Sequence, residues 1–163
     1  MTKLALKSEI SNPQMMYWET EKGVEFLRRV GMEPGDTVLD FGCRVGHYSI
    51  PAARLVGKRG LVYAVDVKEF ALADLRQKKN AEDLTNLRLI KTTGELTLPV
   101  ENGIIDVALL YDVLQFFEKP ERKKLYREIW RILKQGGLLS VYPKHTLEDN
   151  PLMEFQDMTI ERL

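Results

Sequence analysis

The chain has 163 residues, enough for one domain with a core of its own and too few for two full ones. Lys plus Arg and Asp plus Glu both number 24, so no net positive field draws the whole molecule to nucleic acid or to an anionic membrane. Apolar residues make up 44%, the level of soluble globular chains. The longest apolar region, 104–117, is broken by Asp106 and Asp112 and falls short of the roughly 20 apolar residues of a membrane span. The charges of Lys3, Lys7 and Glu9 leave no room for the apolar centre of a secretory signal. Cys43 is the only cysteine, so neither an internal disulfide nor a Cys-based zinc site can form. The expectation is a cytoplasmic protein with no metal, no membrane partner and no nucleic-acid partner.

In chain order, residues 13–30 read as an amphipathic helix with Met15, Trp18, Phe26 and Leu27 on its apolar side, and Tyr17 and Trp18 as packing residues. Pro34-Gly35-Asp36 then turns the chain into a strand at 37–41. A glycine-bearing loop leads to a helix from about Ser49, with Pro51 tolerated in its first turn and Gly57 and Gly60 closing it. A strand at 61–65, a helix at about 68–80 and a strand at 87–90 follow. The run 105–111 is apolar on both faces, as befits the centre of a covered parallel sheet. After Pro120, Leu125, Ile129, Ile132 and Leu133 carry the spacing of a buried helical face, which Gly136-Gly137 is expected to end before a fifth strand at 138–142. Alternating strands and helices from Thr37 onward mean βαβ units and a mostly parallel sheet, in one domain spanning 1–163. Residues 154–163 read as the start of a further helix.

The segment Val38-Leu39-Asp40-Phe41-Gly42-Cys43-Arg44-Val45-Gly46-His47 stands at the carboxyl end of the first strand, where open parallel sheets bind ligands. Gly42 and Gly46 allow close backbone approach, and the following helix opens with amides that attract negative groups. Asp66 ends the second strand, in Tyr63-Ala64-Val65-Asp66, so its carboxylate and that of Asp40 should border one cleft. There Asp66 can accept both hydroxyls of a ribose, which indicates a nucleoside; the alternative is an acid capping the next helix. Facing a water-filled cleft, Asp66 is expected to support little of the fold.

Asp40 discriminates among nucleosides. A carboxylate about 4 Å from a dinucleotide phosphate would cost on the order of 4 kcal/mol at an effective dielectric of 20. S-adenosylmethionine (SAM) carries an ammonium and a sulfonium and no phosphate, so an acid beside the loop favours it. The loop also reads Gly-x-x-x-Gly, not the Gly-x-Gly-x-x-Gly of dinucleotide binders.

Five segments occur in the order of one family: Val38-Leu39-Asp40-Phe41-Gly42-Cys43, then Tyr63-Ala64-Val65-Asp66, then Thr92-Thr93-Gly94-Glu95, then residues 105–114, and finally residues 132–139. From Met15 to Tyr142 the chain resembles the class I SAM-dependent methyltransferases. The resemblance implies a three-layer Rossmann-like α/β sandwich with sheet order 3-2-1-4-5 and methyl transfer from SAM. It places Asp40, Gly42, Cys43, Arg44 and Gly46 around the methionine part, Asp66 on the ribose, Val67 on an adenine face, Gly94 and Glu95 at the adenine edge, and Tyr111 beside the methionine part.

Two departures matter. Arg44 stands where the family usually has glycine; a left-handed backbone there would cost a side chain roughly 1 to 2 kcal/mol. Arg44 either pairs with the carboxylate of SAM or points to solvent. By the resemblance, the family's closing antiparallel strand pair is also expected to be missing from this stretch of sequence. The fifth strand would then have an open edge bearing Leu138, Leu139 and Val141, which calls for a partner chain or a second copy unless the chain is a fragment.

The acceptor is expected to be a small molecule, a metabolite or a quinone-like compound. The family's base-methylating members resemble one another in an Asn/Asp-Pro-Pro-aromatic motif, where this chain has Tyr111-Asp112-Val113-Leu114. Candidate bases are Asp112, Tyr142, His145 and His47, with helix capping the alternative for Asp112 and a solvated loop the alternative for His145. The rival reading is a non-catalytic partner or regulatory subunit that keeps the fold.

Overall fold

A computed structural model describes residues 13–142. Helix α1 (Pro13–Tyr17), a π-helical turn (Trp18–Lys22) and α2 (Gly23–Val30) run on from one another. The order is then β1 (Thr37–Phe41), α3 (Ser49–Val56), β2 (Leu61–Asp66), α4 (Glu69–Ala81), β3 (Leu87–Lys91), β4 (Ile105–Tyr111), a 3-10 turn (Leu114–Phe116), α5 (Lys119–Ile132) and β5 (Leu133–Tyr142). The expected helix 13–30 is thus present but interrupted by a π turn. The further helix expected at 154–163 lies outside the described residues, as does His145.

The five strands are parallel in the order β3-β2-β1-β4-β5, a Rossmann-like arrangement. β1 occupies the middle and β4 lies beside it, a correction to the expectation that the most apolar strand is central. Alternation along each strand feeds two cores. Val38, Val62, Val107 and Leu109 pack with Leu27 of α2, Ile50 of α3 and Leu75 of α4. Leu39, Val65, Ala108 and Leu110 pack with Leu125, Ile129 and Ile132 of α5. Each fully buried Leu or Ile contributes about 1.5 to 3 kcal/mol, so the sheet is held from both faces and its carboxyl edge is left to the loops.

The fifth helix ends at Ile132, not at Gly136-Gly137, because Leu133 takes an extended backbone (ψ 139°) and pairs opposite Ile105. Pairing resumes at Val107 opposite Leu138, and Gly136 (φ +79°) lies in the bulged segment between. Gly46 (φ +90°) is required for another reason: a Cβ there would come within 2.3 Å of Leu75 Cδ1, so the loop after β1 sits directly on α4.

Candidate functional site

A cavity of about 580 Å³ opens at the carboxyl ends of β1, β2 and β4, within the usual ~300 to 1,000 Å³ of small-molecule sites. Gly42, Arg44, Asp66 and Val67 line it, together with Lys68, Thr92, Asp112, Val113, Gln115, Phe116 and Phe117. The position follows from the topology: the strand order reverses between β1 and β4, and the two connecting loops part there.

Asp66 is 7% exposed and accepts two backbone hydrogen bonds, from the Arg44 N–H (2.8 Å to Oδ2) and the Lys68 N–H (2.9 Å to Oδ1). It therefore ties the loop after β1 to the start of α4, and the expectation that it supports little of the fold is corrected. A carboxylate has about four lone-pair sites, so each oxygen keeps one for a ligand hydroxyl.

Asp40 is 2% exposed and lies outside the cavity lining, beneath the loop, where it accepts a 2.5 Å hydrogen bond from Ser49 Oγ. Burial pushes its carboxyl up to about 6, the Ser49 hydrogen bond opposes that rise, and the negative charge of Asp66 adds to it. Its influence on a ligand is through the field. The two acids expected on one cleft are close enough to feel each other, but only Asp66 reaches the surface of the cavity.

Arg44 has φ +48°, in the left-handed region, and Asp112 has φ +53°. Two non-glycine residues in this region on the walls of one cavity are a concentration of backbone strain of the kind found at ligand sites. Arg44, half-buried, is among the residues lining the cavity, and its side chain makes no ion pair with any described residue. Gly42 is pressed against Val113, whose Cγ2 would lie 2.7 Å from an added Cβ, and its N–H donates to Val65 O.

The remaining sequence-predicted residues lie off the cavity. Cys43 is buried, with burial first and then the charges of Asp40 and Asp66 raising its thiol well above the ordinary range. Gly46 is seated on Leu75. Glu95 turns back on its own loop and accepts the Thr93 N–H at 2.9 Å, next to Gly94. Tyr111 is buried, its hydroxyl hydrogen-bonded to Ser140 Oγ at 2.6 Å and its ring packed edge-on against Tyr48. His47 faces Glu19, and Tyr142 packs against Tyr111. The lining residues to which the sequence reading gave no role were Phe41, Val65, Lys68, Thr92, Val113, Gln115, Phe116 and Phe117. Thr92 and Val113 were findable as the residues just past the ends of β3 and β4.

A model of the methyltransferase domain matches residues 38–137. The chain belongs to the methyltransferase domain family. Among relatives it is similar to the ubiquinone/menaquinone biosynthesis C-methyltransferase UbiE of Blochmanniella floridana, 33% identical over 142 residues, or 85% of this chain and 54% of the relative. It is also similar to the demethylmenaquinone methyltransferase of Bacillus mycoides, 30% identical over 81% of this chain and 53% of the relative. A SAM-dependent methyltransferase of Aquifex aeolicus superposes with a TM-score of 0.71 at 25% identity, covering 86% of this chain and 72% of that one. The chain spans about half the length of the curated relatives it matches.

Proposed function

We propose that the chain binds SAM in the cavity over β1, β2 and β4 and transfers its methyl group to a small-molecule acceptor. The observation that carries this reading is Asp66, a buried carboxylate held by two backbone amides with its remaining lone pairs available at the cavity. The cavity fits the cofactor in chemistry as well as volume. Asp66 would take the ribose hydroxyls, Val67 and the apolar wall at Val113 and Phe116 would take the adenine, and Gly42 and Arg44 would border the methionine part. The buried charge of Asp40 favours a cationic ligand without phosphate. Gly94, Glu95, Cys43, Gly46 and Tyr111 shape the surrounding loops in this reading.

Bound SAM supplies an electrophilic methyl group. The protein's own contribution is alignment and exclusion of water, which can lower a barrier by about 7 to 11 kcal/mol when nucleophile and electrophile are held in line. Asp112, directly after β4 and among the cavity-lining residues, is our candidate for taking a proton from an acceptor that must lose one. The quinone-directed names of two relatives and the exposed Phe116 at the rim favour an apolar, aromatic acceptor.

Incubation with SAM and a panel of small phenols and quinols, with S-adenosylhomocysteine (SAH) measured by chromatography, tests the activity. Acceptor-dependent SAH formation is the expected result. The strained Arg44 in the cavity favours a second reading, a non-catalytic SAM-fold partner, and SAM binding with no SAH formed would select it. Among the described residues β5 pairs only with β4, leaving Leu138 at an open edge that a second copy or a partner chain would cover. Sedimentation at tens of micromolar should show self-association; a well-behaved monomer would count against that edge as an interface.

A further inference from the structure

On the side of the loop after β1 away from the cavity lining lies a partly buried cluster of ionisable side chains that no step above uses. Glu19, in the π-helical turn, is 6% exposed. Its Oε1 accepts from Lys78 Nζ of α4 at 2.6 Å and from His47 Nδ1 at 3.2 Å. The neighbouring Trp18 Nε1 donates to the His47 carbonyl at 2.8 Å. Consecutive residues thus hold the backbone and the ring of one loop residue. Both residues lie at the start of the π turn, a feature frequent at functional sites.

Burial works against the charged form of Glu19, but the hydrogen bonds from His47 and Lys78 outweigh it and hold the carboxyl below its ordinary value. Taking ionisable groups out of water carries a desolvation cost, and apolar packing would fasten a helix at less cost. What the cluster adds is direction. His47 directly follows Gly46, which is seated on Leu75, and lies three residues beyond Arg44, whose N–H is bound to Asp66.

Resting on the SAM-binding reading, we propose that Glu19 is a positioning residue: through His47 it fixes the 42–48 loop in the conformation that forms the cofactor cavity. The N-terminal helical segment is then part of the binding device, although none of it lines the cavity.

The test compares Glu19→Gln with Lys78→Met, which removes the α4 arm of the cluster and leaves the His47 arm. Amide hydrogen exchange of residues 42–48 needs no ligand; it should accelerate at least tenfold in Glu19→Gln and less than twofold in Lys78→Met. SAM affinity by calorimetry should fall at least tenfold in the first and less than twofold in the second, and His47→Ala should add little to Glu19→Gln. Equal changes in the two single variants would reduce Glu19 to a general stabiliser and overturn the proposal. If Glu19→Gln did not fold, His47→Ala alone must show the loop acceleration, and its absence would overturn the proposal equally. If the parent protein bound no SAM, the functional reading would fail while the exchange data still decided the role of Glu19.

Discussion

Asp40, one residue before the end of β1, and Asp66, at the end of the neighbouring parallel strand β2, are both more than nine-tenths buried and yet are held differently. Asp66 has two backbone amides fixed on it and shows its free lone pairs to the cavity. Asp40 is held by Ser49 alone, through its hydroxyl and its backbone N–H, has no exposure to the cavity, and has a carboxyl pushed up to about 6 by burial. One acid is integrated into the fold and available for contact. The other is a charge the fold tolerates at a cost, and a cationic ligand nearby would offset that cost.

The comparison is broken most severely at Asp66. Asp66→Ala removes two charge-assisted hydrogen bonds, each contributing about 1.5 to 3 kcal/mol, so a loss of at least about 3 kcal/mol is expected, read as a lower urea midpoint. SAM binding should fall by more than tenfold in the same variant. An unchanged midpoint would mean the Arg44 and Lys68 amides find other partners at no cost.

Asp40→Asn should act in the other direction. Because its folded value, about 6, lies above the ordinary 3.8, the native state holds the proton more tightly, and the parent loses stability as pH rises from about 4 to about 6. A gap of roughly two pH units corresponds to about 3 kcal/mol as an upper limit. The variant should therefore be more stable than the parent at pH 7.5, equal to it below pH 4, and weaker in binding SAM. Urea midpoints at the two pH values check the sign; a variant less stable at pH 7.5 would contradict it.

The smallest effect is expected at Arg44. Arg44→Gly relieves a left-handed side chain (φ +48°) and should raise stability by about 1 kcal/mol while changing SAM affinity by no more than about tenfold. Complete loss of binding would make Arg44 an essential ligand, and a large gain would mark a decayed site.

The order of elements, the parallel sheet and the position of the candidate cavity were legible in the sequence, because short apolar runs such as 37–41 and 105–111 and the residues Gly42 and Asp66 at the strand ends are local signals. Three things were not. The end of α5 depended on whether Leu133 packs better as a helical or a strand residue, which Ile105, distant in sequence, decides. The depth of Asp40 depended on Ser49 folding back over it. The Glu19–His47–Lys78 cluster joins residues up to 59 positions apart, through a π turn that no spacing rule announces.

The most direct measurement is a calorimetric titration of SAM and of NAD into the purified chain at pH 7.5. A buried acid beside the loop and an uncommitted pair of lone pairs on Asp66 predict one SAM bound per chain, displaced by SAH, and no measurable NAD binding under the same conditions. NAD bound as tightly as SAM, or no binding of SAM at all, would contradict the assignment of this cavity to a phosphate-free, cationic nucleoside.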